Sequence, residues 1–293
     1  MANTTEIQSR IKSVQDTMKI TNAMYMISSA KLKKARKRLA DTEPYFYTLQ
    51  SVIERIQRHA PDMEHPFFGS DRNPKKKKKV GYIVVTADKG LAGAYNHNVI
   101  KLAEEKMTEK DPEMLFVLGE MGRHYFEKKK INIDEAFHYT VQNPTMHRAR
   151  VIAERILELY KGHVLDEVHL IFTRMINPVQ CECDVIQLLP LKKKEFPAVP
   201  IDVHMEEIIW SPSPDAVLDS IVPNYLSGIV FGALVESYSS EQNSRMSAMR
   251  SATDSAKDML RDLSMAYNRV RQAAITQEIT EVISGAKAQK GKQ

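Results

Sequence analysis

Between Gly232 and Gly285 the chain contains neither glycine nor proline, a run of roughly fifty residues that would span on the order of 75 Å as a helix at 1.5 Å per residue. Glycine and proline are the two residues that cost a helix interior most, so their absence over this length predicts one uninterrupted helix. No domain built from 293 residues needs so long a helix for itself, and it must lie against something. The matching stretch is at the other end of the chain, where Met1–Glu43 also lacks Gly and Pro. Small or apolar residues recur there at Ile7, Ile11, Val14, Met18, Thr21, Tyr25, Ser28, Leu32, Ala35 and Leu39, in steps of four and three. The C-terminal helix repeats the pattern at Met249, Thr253, Ala256, Leu260, Leu263, Tyr267, Val270 and Ala274. Two heptad seams predict that the terminal helices pair as an antiparallel intramolecular coiled coil. Thr5 and Gln8 in "TEIQ" read as a capping box that starts the first helix, with Thr5 as N-cap and Gln8 at N3. Pro44 marks a point where it can kink, before the helical pattern resumes to about residue 60. Past Ala274 the seam falters: Gln277 and Glu281 take its positions, while Ile275, Ile279, Val282 and Ile283 fall on another face. That end is expected to meet something other than the first helix.

Between the helices the texture changes. "KVGYIVVTA", "EMLFVLG" and "DEVHLIFTRM" read as strands buried on both faces. They are separated by the helical stretches "NHNVIKLAEEKM", "MGRHYFEKKK" and "HRARVIAERILELY". Alternation at this spacing predicts βαβ units with a mostly parallel sheet, and "CECDVIQLLPL" adds an edge strand. The fold class is therefore α/β, with long terminal helices flanking an inserted domain. The segments are a long N-terminal helix over 1–60, a linker over 61–79, the α/β domain over 80–200, a connecting segment over 201–223 and a long C-terminal helix with its tail over 224–293. No run of eighteen apolar residues occurs, and Met1–Arg10 is too polar for a signal peptide, so a soluble cytoplasmic protein without a membrane span is expected.

The search for chemistry yields little. "TADKGLAGAYN", Thr86–Asn96, sits where phosphate loops sit, between a strand and a helix, but lacks a Gly-Lys-Ser/Thr ending and dinucleotide spacing. A tight connection is favoured over a nucleotide site. Cys181 and Cys183 are too local for a structural staple and have no further ligands nearby for a metal, so they read as reduced strand cysteines. No catalytic constellation, metal site or cofactor motif is visible. The run Lys75–Lys79 lacks the aromatic interleaving of a nucleic-acid binder and reads as a solvated linker. "KLKKARKRL" is different: Lys31, Lys33, Lys34, Arg36, Lys37 and Arg38 crowd the exposed sides of a helix whose apolar side is committed to the seam. A surface for an acidic partner and a merely solvated face both fit it. A coiled-coil scaffold with an inert insertion and a phosphate-ligand enzyme using Thr86–Asn96 remain the readings from other classes.

Over nearly its whole length the chain resembles the γ subunit of rotary F-type ATP synthases. "RIKSVQDTMKITNAMYMISSAKLKKA" is similar to that family's N-terminal helix, and "RMSAMRSATDSAKDMLRDLSMAYNRVRQAAITQEITEVISGA" to its C-terminal signature. "VVTADKGLAGAYN" resembles the segment after its first strand, with Ala87, Lys89, Ala92 and Ala94 where Ser, Arg, Cys and Gly are common. The resemblance implies a non-catalytic rotor shaft inside a ring of α and β subunits, coupling proton flow through a membrane c-ring to ATP turnover, with an ε subunit at the far end. It implies a peripheral location on the cytoplasmic face of the cell membrane. It further implies that Arg271, Gln272 and Thr276, with Met24 in the N-terminal motif, engage a loop of a catalytic β subunit, and that the Lys31–Arg38 cluster faces acidic β-subunit segments. Trp210, in "EEIIWSPSPDAVLD", is the candidate foot residue.

Overall fold

A computed structural model describes residues 4–59, 63–69, 78–110, 112–177, 180–192, 211 and 213–290. Helix α1 (Thr4–His59) is followed by strand β1 (Val80–Val85), α2 (Tyr95–Glu109), β2 (Met114–Leu118), α3 (Glu120–Lys128), α4 (Met146–Lys161), β3 (Glu167–Met175), β4 (Cys181–Leu189) and α5 (Pro214–Lys290). The chain divides into two compact units: residues 1–28 with 246–293, and residues 29–245. The second unit therefore takes more of both long helices than the segments expected from sequence allowed.

In the terminal unit the two helices run antiparallel. Gln8 Nε2 donates to Tyr267 Oη at 2.8 Å, and the hydroxyls of Thr21 and Thr253 share a hydrogen bond of the same length. Both pairs set one register, in which Ile11 lies level with Leu263, Val14 with Leu260 and Met18 with Ala256. Side chains at Ile7, Thr21, Ser28, Met249 and Ala256 are buried, those at Ile11, Val14, Met18, Leu260, Leu263, Tyr267 and Val270 are half-buried, and the faces between are largely exposed. Burial stops at Val270, so Ala274 is exposed and is not part of the seam. At the start of α1, Gln8 also reaches across the seam. The helix starts at Thr4, and Gln8 Nε2 donates to Tyr267, leaving its Oε1 as a further acceptor.

The larger unit is built on a four-stranded sheet of order β2-β1-β3-β4. β1 is parallel to β2 and β3, and the edge strand β4 is antiparallel to β3. Every residue of β1 is buried, and its side chains alternate between two cores. Val80, Tyr82 and Val84 face Val99, Ile100 and Phe126 of α2 and α3. Ile83 and Val85 face Ile152 and Ile156 of α4, with Ile53 and Ile56 of α1 and Leu226 and Val230 of α5 in the same core. Leu32, half-buried, and Ala35, buried, belong to this unit and not to the terminal coil.

Helix α5 begins at Pro214, inside the expected connecting segment, and runs through Pro223, whose missing N–H frees one carbonyl. Nearby side chains add bonds to the backbone there: Asn224 Nδ2 donates to Ser220 O, and Ser227 Oγ to Pro223 O. α1 likewise continues through Pro44. An eighteen-residue window of α5 has a mean hydropathy of 1.4, enough by length and composition to cross a membrane, but a core helix passes the same test. Leu218, Val222, Leu226, Val230 and Val235 are fully buried against the α/β core, which accounts for that hydropathy.

Candidate functional site

From Arg271 to Lys287 every residue of α5 is exposed. Ile275, Ile279, Val282 and Ile283 form an apolar stripe there, 47–71% exposed, at helical spacing. Thr276 and Thr280 return their hydroxyl hydrogens to the carbonyls one turn back, Gln272 O and Thr276 O. Gln277 is tied to Glu281. The side chains of Arg271 and Gln272 have no hydrogen bond or ion pair among the described residues and stand open to a partner. Gln272 and Thr276 share a face one turn apart, with Arg271 beside them.

Met24 does not join this group. The antiparallel register places it level with Arg250, about 30 Å along the helix from Arg271 at 1.5 Å per residue. Shared membership of two terminal motifs says nothing about level along a rod, and only the register supplies that.

In the larger unit, the six basic residues of the Lys31–Arg38 segment are not equivalent. Arg38 Nη1 donates to Asn143 Oδ1 at 2.6 Å and Pro144 O at 3.4 Å, and Arg36 leans on Met175 Sδ. Lys31, Lys33, Lys34 and Lys37 are exposed and form no ion pair among the described residues. These four are the cations available to an acidic surface.

The Thr86–Asn96 stretch is a clamped connection. Thr86 Oγ1 donates to Leu118 O at 2.8 Å and accepts from Gly122 N at 3.0 Å, while Asn96 Oδ1 accepts from Ala87 N. Asp88 carboxylate accepts from Thr140 Oγ1 and from the backbone of Val141 and Gln142. Arg245 Nη2 donates to Lys89 O and Gly90 O, and its Nη1 pairs with Glu241 at 2.6 Å in a nearly dry environment. Burial raises the Glu241 pKa, the Arg245 charge opposes that, and Asp88 adds to it. Most of the loop's polar groups are thus spent on holding its own shape, while Asp88 Oδ1 and Glu241 Oε2 are buried with no hydrogen-bond partner among the described residues.

Sequence reasoning missed this polar core. Ser237, Ser239, Ser240, Glu241, Gln242, Asn243 and Arg245 are all buried in α5. Ser237 Oγ accepts from Thr173 N, Ser240 Oγ donates to Thr173 O, and Glu236 Oε2 accepts from Met175 N. The signal was "ESYSSEQNSR" itself, a helical stretch with no apolar stripe that nevertheless had to cross a sheet. Cys181 and Cys183 are free and half-buried on β4, with burial raising the Cys183 pKa. Trp210 lies outside the described residues. No group of three His, Cys, Asp or Glu is placed to hold a metal ion among the described residues.

A family model described as ATP synthase matches residues 3–289. A relative from Acetivibrio thermocellus named ATP synthase gamma chain is 44% identical, over 99% of this chain and 100% of that protein. The chain belongs to the ATP synthase γ-chain family. Another γ chain, from Ruminiclostridium cellulolyticum, is also 44% identical, with 98% of each chain covered. The fold of the γ-chain family recurs in a solved central stalk and c-ring of the Tetrahymena thermophila mitochondrial ATP synthase, at a TM-score of 0.58 and 21% identity, covering 80% of this chain and 99% of that one.

Proposed function

We infer that this chain is the central-stalk rotor of a membrane-associated ATP synthase, non-catalytic by itself, turning inside a ring of α and β subunits. The observation that carries the reading is the bare end of α5. A soluble protein does not leave seventeen residues of helix, Arg271–Lys287, with four exposed branched apolar side chains unless a partner surrounds them. Around that stripe the surface is mostly Gln, Thr, Ala and Ser, with Glu278 and Glu281 as the carboxylates among them, which gives shallow contact suited to turning within a sleeve. Arg271, Gln272 and Thr276 supply the few directional contacts to a β subunit. Met24 contacts the ring at a separate level.

An asymmetric shaft in a nearly threefold ring makes different contacts with each β subunit. Each orientation of the shaft therefore biases the three sites toward different conformations, and rotation links ion passage to ATP turnover. Lys31, Lys33, Lys34 and Lys37 face acidic β-subunit segments. Exposed ion pairs are worth about 0–1 kcal/mol each, weak enough to break and reform at every step. The ε subunit and the c-ring bind the opposite end, with residues 201–223, including Trp210, as the foot. The complex works at the cytoplasmic face of the cell membrane.

The test is ATP hydrolysis by a purified α/β ring alone, with the full chain, and with a chain ending at Val270. The chain alone should be silent. The full chain should sustain turnover by the ring, and the shortened chain should do so several-fold less well. Turnover by the chain alone, or equal rates with and without it, would refute the rotor reading.

A further inference from the structure

A cleft of about 240 Å³ opens in the larger unit between α1, the turn at Gln142–Pro144 and α5. Lys31, Lys34 and Arg38 lie along one ridge of α1, three and four residues apart, and all three line it. No carboxylate is among its lining residues. Arg38 Nη1 is held by Asn143 and Pro144, which fixes the guanidinium while its Nε and Nη2 hydrogens make no hydrogen bond among the described residues. The turn that holds it is itself braced, because Arg148 Nη1 donates to Gln142 O and Asp88 accepts from Gln142 N.

The wall contributed by α5 adds a further donor that points to the same chemistry. Tyr238 is 6% exposed and lines the cleft, yet its hydroxyl has no hydrogen-bond partner among the described residues. That hydroxyl is not among the described side-chain atoms buried without a partner, so it opens into the cleft, where a bound group could accept from it. The groups that line the opening are two ammoniums, a fixed guanidinium and a hydroxyl, all able to donate, while the buried Glu241 carboxyl, one turn along α5 from Tyr238, acts on Lys31 and Tyr238 from outside the lining. The volume is below the roughly 300–1,000 Å³ of sites that enclose drug-sized ligands, so the occupant must be small.

We propose that this cleft binds a small free oxyanion of the phosphate or pyrophosphate class, held by Lys31, Lys34 and Arg38 with Tyr238 donating from the inner wall. Planar guanidinium and mobile ammonium donors are the pair of chemistries best matched to tetrahedral oxyanions. The site needs only the folded chain. Its failure would leave the rotor reading standing, and failure of the rotor assay would leave the site standing.

The experiment is calorimetric titration of the full chain with phosphate and pyrophosphate at a constant ionic strength of about 0.15 M, so that general screening is the same throughout. Saturable binding at one site is expected. Lys31→Gln with Lys34→Gln should weaken it at least about tenfold, Tyr238→Phe several-fold, and Lys101→Gln on α2 not at all. The lysines are exposed, and unchanged far-UV circular dichroism and melting would show that the double variant folds. Absence of saturable binding, equal affinity in the double variant, or binding of a short Asp/Glu peptide but of neither anion would overturn the proposal, the last in favour of a protein carboxylate as occupant.

Discussion

Gly228 on α5 faces Phe46 on α1 inside the larger unit, at a place where the two helices come close together. A Cβ built on Gly228 would sit 2.0 Å from Phe46 Cδ1, 2.4 Å from Cε1 and 2.5 Å from Cγ. In an ordinary helix interior Gly→Ala stabilises by about 1 kcal/mol, so helix propensity and packing predict opposite signs here. Cγ lies on the axis of ring rotation, and turning the ring about χ2 cannot move it away. The whole side chain must leave its rotamer or the helices must part. Overpacking of this kind costs about 1–3 kcal/mol, and with three ring atoms inside 2.5 Å the upper half of that range applies. Net of propensity, Gly228→Ala should destabilise by about 1–2 kcal/mol. Urea unfolding followed by circular dichroism measures this directly. Phe46→Leu removes the clashing ring, so adding it to Gly228→Ala should cost less than the two separate losses together, with a coupling of about 1 kcal/mol or more. If Gly228→Ala raised stability, or the two changes were additive, the close approach would be wrong.

Other consequences follow from the same geometry. Burial pushes the Glu167 carboxyl up, but hydrogen bonds from Lys110 at 2.7 Å and Lys78 at 3.0 Å outweigh that and hold its pKa at about 2. A folded pKa below the unfolded value stabilises above about pH 4.5, and the contribution is lost as pH falls from there toward 2. The displacement corresponds to up to about 3 kcal/mol, and screening of the two half-exposed ammoniums reduces it to about 1–2 kcal/mol. Glu167→Gln should therefore be destabilised at pH 7 by that amount in denaturant titrations, with the gap to wild type closing at low pH. In the terminal coil, each hydroxyl of the Thr21–Thr253 pair also reaches the carbonyl a turn back on its own helix, Met18 O or Met249 O. Thr21→Val therefore leaves no orphan and should cost only about 0.5–1 kcal/mol, and Thr21→Val with Thr253→Val should cost less than the two single losses together. A pair of equal, additive losses in thermal melts would contradict the shared hydrogen bond. Arg271→Ala or Gln272→Ala should lower ATP-driven ion pumping by the assembled complex without moving the melting point of the isolated chain, and wild-type pumping would remove both from the partner surface.

Much of the architecture was legible because it rests on periodicity. The seam residues from Ile7 to Val270 are the ones the structure buries or half-buries, and the four strand runs each became a strand, since both depend on apolar spacing alone. Features that depend on what lies opposite were not. Local spacing gave Gln8 only a capping role, and only the register reveals that its Nε2 also meets Tyr267 across the seam. Met24 was grouped with Arg271 because motifs carry no level, and α5 passed its expected start because Pro223 was read as a boundary when it sits in a helix packed on the sheet. The exposed end of α5 was visible as a change of face at Ile275, but the burial of Glu241 and Arg245 was not. Charge in a helix normally signals solvent, and here a clamp on the Lys89–Gly90 carbonyls outweighs that tendency.

The contact between α5 and β3 also sets an angle. A helix lying on a purely apolar sheet can slip about its own axis or slide by a turn at modest cost, because dispersion has no preferred direction. Thr173 is gripped on both backbone groups, its N–H by Ser237 and its carbonyl by Ser240, and Met175 N is fixed by Glu236. These bonds act as a key in a keyway: they are lost, not exchanged, when the helix turns by a few tens of degrees. The azimuth of α5 is thereby indexed to the sheet, and a twist applied to one is carried into the other without slippage.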